Sequence, residues 1–334
     1  MLLVMGFRGL PGSSGDLQGD LPGAGRRGHS YHRPMSTTPA NNDVPSGVIS
    51  ERPTRLGCVS YLNTLPLIEG LGKLRDVRLT LTAPSRLIDL LEEDEADLAL
   101  VSVIDYQRSS TDLVMIPVGM IGCDGPTMTV RLFSRVPVEQ VRTIHADADS
   151  HTSVTLARIL VARLSGGGRV PDVVEFDVDE HRARQVDDAE HGREAEWPEA
   201  LLLIGDKVVT DSPPAMLYPH QLDLGQAWQE VTGLPFVYAV WMCRAERAGD
   251  PVIATGASVL DRQRRHNATR LAWIVASRAP VRGWPRDLAE EYLTRRLRYE
   301  VTAEHRASVE RFFDEAYELG LIEQRRPVRW LEPA

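Results

Sequence analysis

The amino-acid sequence predicts an α/β protein folded as a clamshell of two lobes. From about residue 55, short apolar runs typical of buried strands alternate with segments that have the spacing of amphipathic helices. A second set of the same kind follows, and the chain from about residue 257 to 322 has helical spacing alone. Strands that alternate with helices form parallel sheets, so two such sets indicate two lobes. We expect the last helices to return to the first lobe.

The first set contains strands with helices between them. In chain order it consists of the strand RLGCVSYL, a helix beginning in LPLIEGL, the strand VRLTLTA, the helix SRLIDLLEEDE with Ser85 as its N-cap, and the strand ADLALVSV. Parallel sheets bind ligands beyond the carboxyl ends of their strands. The polar segments at such ends are YLN (61–63), SVIDY (102–106) and IGD (204–206). We therefore expect the site there, with Ser102 beside the ligand.

The turn-rich stretch GCDGPTMTV (122–130) leads from the first set to the second. It separates two strands, and its glycines, Gly125 among them, allow close approach of the backbone. After it come the strand VRTIHA, the helix TSVTLARILVARL, the strands DVVEFDV and EALLLIG, and the turn and strand TGLPFVYAVWMC. The C-terminal segments AEEYLTRRLRY and ASVERFFDEAYELGLI have helical apolar spacing, and Gly320 is the expected helix stop.

These patterns divide the chain into three parts. We expect a disordered arm over residues 1–52, a first lobe over residues 53–128 plus 238–334, and a second lobe over residues 129–237. The substrate cleft is expected between the lobes. The arm is rich in Gly, Pro and Ser and lacks apolar periodicity, so it cannot bury a core of its own.

Composition and motif content exclude several classes of function. The formal net charge is −9 and Lys and Arg form no cluster, which argues against a nucleic-acid or membrane partner. Cys58, Cys123 and Cys243 are isolated from one another, which indicates neither disulfides nor zinc and favours a cytoplasmic location. The histidine spacing suits no metal, and neither a glycine-rich phosphate loop nor a GxSxG elbow is present. We therefore expect no metal and no cofactor.

Three polar features are candidates for a ligand site, each with a structural alternative. Asn63 follows a strand, and it either hydrogen-bonds a ligand or ends the strand with an Asx turn. Asp206 ends an apolar run, and it pairs locally, caps the next helix or acts in the cleft, of which capping is the commonest role for an acid at such a place. Ser150, Thr152 and Ser153 lie at the mouth of a helix, whose free N–H groups can hold a carboxylate. An ordinary N-cap is nevertheless the commoner role for Ser150.

Five segments carry a family resemblance: GCVSYLNTLPL, GCDGPTMTV, SHTSVTLARILV, LLLIGDKVV and LDLGQAWQEVTGLPFVYAVW. Taken in this order, they resemble the MqnA family, the chorismate dehydratases of the futalosine pathway of menaquinone biosynthesis. The similarity covers about residues 55–322. It implies a fold like that of type II periplasmic-binding proteins. It also implies conversion of chorismate to 3-[(1-carboxyvinyl)oxy]benzoate and water, without a metal or organic cofactor.

The resemblance further implies roles for individual residues. It places Asn63 and Thr129 beside the substrate as catalytic residues. It also gives Ser150, Thr152 and Ser153 the role of a carboxylate site at the helix start. Together with Ser102, Gly125 and Asp206, which we expect at the cleft from their positions in the sequence, these residues form the expected substrate-binding set. The family often has serine at the position of Thr129, and threonine keeps the hydroxyl while adding a methyl group and a stiffer χ1. No histidine or lysine in these motifs offers itself as the base, so we hypothesise that the enolpyruvyl carboxylate of chorismate takes the proton.

Two other functions stay open at this point. A non-catalytic solute-binding protein would share the fold, although the sequence has neither an export signal nor a lipoprotein cysteine. The second is the later-pathway 1,4-dihydroxy-6-naphthoate synthase, but its histidine-centred cleft chemistry has no matching motif here. The oligomeric state is not predicted by any of these patterns.

Overall fold

The computed structural model describes residues 52–147, 151–167, 169–178, 180–181, 183–184 and 196–331. Apart from Arg52, the predicted disordered arm lies outside these residues, and so does Ser150. The described strands are β1 (Thr54–Cys58), β2 (Val77–Leu81), β3 (Leu98–Ser102), β4 (Leu113–Cys123), β5 (Val130–Ser134), β6 (Thr143–Ala146), β7 (Asp172–Glu175), β8 (Ala200–Ile204), β9 (His220–Asp223), β10 (Phe236–Arg244) and β11 (Leu297–Arg298).

Helices connect and cover these strands. The principal ones are α1 (Leu65–Ile68), α2 (Leu87–Glu92), α3 (Asp105–Arg108), α4 (His151–Leu164), α5 (Lys207–Thr210), α6 (Leu224–Thr232), α7 (Pro251–Ala268), α8 (Leu271–Arg278), α9 (Arg286–Glu291) and α10 (Ala303–Glu318). The predicted cap of α2 is wrong, because Ser85 lies inside a 3₁₀ turn, Pro84–Arg86, that precedes the helix. The predicted stop after α10 is confirmed, since Gly320 has a φ of 67° and directly follows the C-cap residue Leu319.

The first sheet has the strand order β11-β4-β10-β3-β1-β2. Strand β1 runs parallel to β2 and β3, as the strand–helix alternation predicts. Strand β10, which the chain reaches after the second sheet, lies antiparallel between β3 and β4. Strand β11 also pairs antiparallel with β4, where the sequence predicts helix. The reason is a π-helical turn, Tyr292–Arg296, which ends the helical segment and leads the chain into this short strand.

The second sheet has the strand order β7-β6-β8-β5-β9. Strand β6 is parallel to β7 and β8, whereas β5 pairs antiparallel with β8 and β9. The sequence does not predict β9, whose four residues alternate too briefly to stand out. Both sheets are therefore mixed rather than purely parallel.

Two short segments connect the sheets. The chain leaves the first sheet over residues 124–129 and returns to it over residues 233–235. Cys123 and Phe236 are paired across β4 and β10, so both connections start from neighbouring strands. Edge-to-face contacts among Trp228, Phe236 and Phe312, with centroids 5.1–6.1 Å apart, pack α6 and α10 against β10 at this point. The lobe boundaries given above stay a prediction.

Candidate functional site

A cavity lies between the two sheets, and its empty space, together with the solvent-open space at its mouth, amounts to about 650 Å³. The first sheet and its loops contribute Val59, Tyr61, Asn63, Thr64, Pro84, Leu87, Leu100, Ser102, Ile121, Tyr238, Ala239 and Tyr292. The crossing segment and the second sheet with its helix contribute Thr129, Val130, Thr152, Ser153, Ile204 and Gly205. The cavity thus lies at the carboxyl ends of β3 and β8, where the sequence predicts the ligand site.

Asn63 and Thr129, the predicted catalytic residues, meet in this cavity. Asn63 lies in a 3₁₀ turn, Leu62–Thr64, directly after β1, and Thr129 directly precedes β5. The Thr129 hydroxyl donates a hydrogen bond to the phenol oxygen of Tyr292 over 2.6 Å. The Asn63 side chain lies beside the same phenol. The cavity therefore joins two residues from opposite sheets through a third residue from the C-terminal part of the chain.

Tyr292 is a cavity residue that sequence reasoning missed. Its side chain is buried, and its ring stacks on Trp284 with centroids 5.1 Å apart and an interplanar angle of 8°. Burial raises the pKa of Tyr292, and hydrogen bonding with Thr129 and Asn63 opposes this effect only in part. The sequence signal for Tyr292 is an amphipathic helix, whereas the chain forms a π-helical turn there. Such turns occur frequently at functional sites.

Hydroxyl groups line the part of the cavity next to α4. Ser102, Thr152 and Ser153 all border the cavity and are buried. The Thr152 oxygen accepts a hydrogen bond from the Ile104 amide over 3.3 Å, which leaves its proton available to a ligand. Helix α4 begins at His151, whose Nδ1 lies 2.8 and 3.0 Å from the two carboxylate oxygens of Asp105. This contact ties the start of α4 to α3.

The electrostatic character of the cavity comes from dipoles rather than charges. Within the part of the chain that the structure describes, every lining residue has an uncharged side chain or a phenol. Burial raises the pKa of Tyr238 well above its ordinary value. Burial also raises the pKa of Tyr292. A carboxylate bound here would meet hydroxyl groups and backbone amides instead of arginine or lysine.

Asp206 lies next to the cavity but outside its lining. The predicted helix cap is wrong, because Asp206 occupies the N-cap position of α5 without a side-chain bond to that helix. One carboxylate oxygen is buried and has no hydrogen-bond partner among the described residues. Burial raises the pKa of Asp206, and the nearby Trp284 indole and Leu62 amide oppose this effect. Asp206 follows β8 of the second sheet, whereas Leu62 and Trp284 belong to segments packed around the first sheet. Asp206 therefore lies where the second sheet contacts the segments of the first.

The crossing segment before Thr129 is held by Asp223. Its carboxylate accepts hydrogen bonds from the amides of Thr127 (2.9 and 3.1 Å) and Met128 (2.6 Å), and also caps the first amides of α6. Met128 has a φ of 73°, a strained conformation that persists only where its surroundings fix it. The amide of Gly205 donates to the Thr129 carbonyl over 2.8 Å. These contacts fix the backbone from which the Thr129 hydroxyl approaches Tyr292.

Gly125 lies in the same segment but not in the cavity lining. Its φ is 147°, and a Cβ atom there would lie 2.6 Å from the Gln229 Oε1. Its conformation serves the packing of the crossing segment against α6. The role in substrate binding stays a prediction for Gly125, and so it does for Ser150, which lies outside the described residues.

Three further features of the described ranges concern metal ligands, membrane-spanning helices and thiols. Among those residues, no group of three or more His, Cys, Asp or Glu side chains is arranged to hold a metal ion. Nor does the described part of the chain contain a helix long and apolar enough to cross a membrane. The cysteines are buried free thiols, and burial raises the pKa of Cys58 and Cys243 to about 12. Such thiols do not ionise near neutral pH and are poor nucleophiles.

Comparison with known proteins places the chain in a family. Residues 54–318 match the family model for menaquinone biosynthesis. This chain belongs to the menaquinone-biosynthesis family. The resemblance seen in the five sequence segments is thereby confirmed. A chorismate dehydratase from Thermus thermophilus is 28% identical to this family member over 285 residues, which cover 81% of this chain and 96% of that protein.

Solved structures share the fold of this member of the menaquinone-biosynthesis family. A protein from Archaeoglobus fulgidus superposes with a TM-score of 0.55 at 15% identity, over 82% of this chain and 100% of that one. The alkanesulfonate-binding protein of Xanthomonas axonopodis pv. citri, bound to MOPS, gives 0.55 at 14% identity, over 81% and 94%. A Candida albicans protein with the generic periplasmic-binding-protein fold gives 0.53 at 13% identity, over 82% and 92%. The predicted periplasmic-binding-protein-like α/β fold is confirmed.

Proposed function

We propose that this protein is a chorismate dehydratase, a hydro-lyase that converts chorismate to 3-[(1-carboxyvinyl)oxy]benzoate and water. The observation that carries the proposal is the meeting of Asn63 and Thr129 at Tyr292, inside one cavity whose described lining carries no charged side chain. Membership of the menaquinone-biosynthesis family and the similarity to the Thermus thermophilus chorismate dehydratase support it. The cytoplasmic location suggested by the cysteines stays a prediction.

The chemistry of chorismate suits such a cavity. The C3 hydrogen is allylic and vinylogous to the ring carboxylate, so its removal gives a delocalised dienolate. Expulsion of the C4 hydroxyl then makes the ring aromatic, which supplies the driving force. The protein must orient two carboxylates and stabilise the developing charge with fixed donors in a site that excludes water.

We assign the base to the substrate itself. Each described lining residue is uncharged or a phenol, and burial raises the pKa of both Tyr238 and Tyr292, so neither phenol accepts a proton readily near neutral pH. The enolpyruvyl carboxylate is joined to C3 through the ether oxygen and reaches the C3 hydrogen within the same molecule. The cavity then needs only to hold the conformer in which this transfer occurs.

The ring carboxylate is best placed against α4. Ser153, Thr152 and the first amides of the helix together offer donors without a cation, and Ser102 faces them from the end of β3. This arrangement leaves the C4 hydroxyl toward Asn63 and Thr129. Direct binding by Ser150, Gly125 and Asp206 is part of the proposal without support from the cavity lining.

Incubation of the purified protein with chorismate tests the proposed function. We expect a product lighter than chorismate by one water, identified by mass spectrometry, with the absorbance of a substituted benzoate. Saturable binding of chorismate without loss of water would instead indicate a solute-binding protein, and no binding at all would contradict both functions.

The origin of the base has its own test. A chorismate analogue in which the enolpyruvyl carboxylate is replaced by a methyl group should bind but lose water at least about 100-fold more slowly, because the general base is missing. The enolpyruvyl methyl ester serves as a second analogue with the same ether. An undiminished rate with either analogue would contradict substrate-assisted deprotonation.

A further inference from the structure

The side-chain oxygen of Asn63 lacks a donor. It is buried and has no hydrogen-bond partner among the described residues, although it borders the cavity. A buried carbonyl oxygen is rarely left in this state unless a ligand or water supplies the missing hydrogen. Of the polar groups of chorismate, the C4 hydroxyl alone has a hydrogen to donate when both carboxylates are ionised. Asn63 is therefore the natural acceptor for that hydroxyl.

The phenol of Tyr292 is oriented by its neighbours. Thr129 donates to the phenol oxygen over 2.6 Å, so the phenol's own hydrogen points away from Thr129. Stacking on Trp284, whose ring centroid lies 5.1 Å away and whose plane is nearly parallel, fixes the ring that carries it. Because Tyr292 borders the cavity and is otherwise buried, a group bound beside Asn63 lies within reach of this hydrogen. The site thus presents one acceptor and one donor to the same hydroxyl group.

We propose that Tyr292 is the general acid that protonates the departing C4 hydroxyl, with Thr129 as the residue that positions its phenol. This inference rests on the proposed function and adds a catalytic residue to it. Hydroxide is a poor leaving group, and the described cavity lining contains no cation to stabilise it. A positioned phenol is a stronger acid than water and supplies the proton as the C–O bond breaks.

The proton balance closes without a co-reactant. The enolpyruvyl carboxylate removes the C3 proton, and the electron pair of the C–H bond enters the dienolate. The dienolate expels the C4 oxygen, which takes the phenol proton and leaves as water. The phenolate of Tyr292 then recovers a proton from the enolpyruvyl carboxylic acid through that water. One chorismate gives one 3-[(1-carboxyvinyl)oxy]benzoate and one water, and Tyr292 returns to its starting state.

The variant Tyr292→Phe tests this role, with Tyr299→Phe as the matched control. The Tyr299 hydroxyl is also buried, but Tyr299 is not a lining residue of the cavity. We expect Tyr292→Phe to lower kcat for chorismate about 100-fold to 1,000-fold with little change in KM. Tyr299→Phe should stay within about threefold of the parent protein. Parent-like kcat in Tyr292→Phe would overturn the inference.

A second substrate separates proton donation from a merely structural role. In 4-fluoro-4-deoxychorismate, fluoride leaves as a stable anion and needs no proton. Tyr292→Phe should therefore lose much less activity with the fluoro analogue than with chorismate. An equal loss with both substrates, in a variant whose melting curve matches that of the parent, would overturn the role of acid. Failure of the unsubstituted protein to dehydrate chorismate would instead overturn the proposed function, and the inference with it.

Discussion

At the residue scale, the proposal gives the Thr129 hydroxyl an indirect role, through the Tyr292 phenol. The hydroxyl donates to the Tyr292 phenol oxygen over 2.6 Å, and the Thr129 backbone carbonyl accepts a hydrogen bond from the Gly205 amide. The extra methyl group relative to serine restricts χ1, which favours one orientation of the hydroxyl. The difference between Thr129 and the serine common in the family therefore concerns how firmly the phenol is held, because both residues can donate to it.

The Thr129 side chain yields a direct prediction. Thr129→Val keeps the shape but removes the donor, and we expect kcat for chorismate to fall about 10-fold to 100-fold because the phenol loses its orientation. Thr129→Ser keeps the donor and should stay within about threefold. Steady-state kinetics on the three proteins measure both effects. Equal activity of all three would show that the contact with Tyr292 has no catalytic role.

Asn63 yields a second prediction at this scale. Asn63→Ala removes the acceptor proposed for the C4 hydroxyl and should lower kcat about 100-fold. We expect the fold to stay intact, since the Asn63 oxygen has no partner among the described residues and the side chain's contact that would be lost is the one with the Tyr292 phenol. Thermal unfolding of this variant should match the parent closely. If Asn63→Ala and Thr129→Val both kept full activity, the cavity would not be the site of the reaction.

The sequence predicts the site residues at strand ends and helix starts better than the residue that comes from the C-terminal part of the chain. Asn63, Ser102, Thr152 and Ser153 were found because each follows a strand or starts a helix at the edge where ligands bind. Tyr292 was missed, because its place in the cavity depends on a π-helical turn and on the return of the chain to the first sheet. The spacing of apolar residues in the sequence indicates neither a π-helical turn nor the return of the chain to the first sheet.

At the element scale, the crossing segment determines how the two sheets present their residues to the cavity. Asp223 binds the amides of Thr127 and Met128 and caps α6 at the same time. The first turn of α6 lies so close to this segment that its second residue, Gly225, has no room for a side chain. The Asp223 carboxylate and the absence of a side chain at Gly225 therefore hold α6 tightly against the segment that carries Thr129.

This close contact makes Gly225→Ala a test of the element. An added Cβ would collide with the Thr127 Oγ1, the Gly125 carbonyl and the Cys123 Sγ, so we expect a loss of about 1–3 kcal/mol of unfolding free energy. Gly249→Ala is the control, because the space around its Cβ position is open among the described residues. Urea unfolding of both variants gives the comparison. An unchanged midpoint for Gly225→Ala would contradict the tight packing of α6 on the crossing segment.

The sequence also predicts elements unevenly. The alternation of strands and helices correctly indicates β1 to β3 and β6 to β8 as parallel groups. It does not reveal that β5 and β10 run antiparallel to their neighbours, each within its own sheet. The direction of these strands depends on where the chain crosses between the sheets. Strands as short as β9 and β11 carry too few residues for a period to appear.

At the scale of the whole molecule, an ion-pair cluster lies where β1 and β3 of the first sheet begin. The Asp97 carboxylate is fully buried and lies 2.7–3.0 Å from the guanidinium groups of Arg52, Arg55 and Arg247. Burial alone would raise the pKa of Asp97, but hydrogen bonds from Arg52 and Arg55 outweigh it and hold the pKa well below its usual range. The cluster joins the first residues of the described chain to the segment before α7.

This cluster predicts a pH-dependent contribution to stability. A carboxyl group with a lowered folded pKa stabilises the protein above its ordinary pKa of about 3.9, and this contribution declines as the pH falls toward the folded value. Asp97→Asn should therefore cost about 2–4 kcal/mol of unfolding free energy at neutral pH, since the arginines are only partly exposed. The difference from the parent should shrink below about pH 4. Denaturant unfolding across this pH range measures it, and a difference independent of pH would contradict the assignment.

The cavity between the two sheets is where we propose that chorismate loses water. Diffraction from crystals of Asn63→Ala soaked with chorismate tests it most directly, because the slowed variant should retain the intact substrate. We predict electron density for chorismate in the cavity, with its ring carboxylate at the start of α4 and its C4 hydroxyl facing Tyr292. Density for chorismate at any other place, with the cavity empty, would contradict the account.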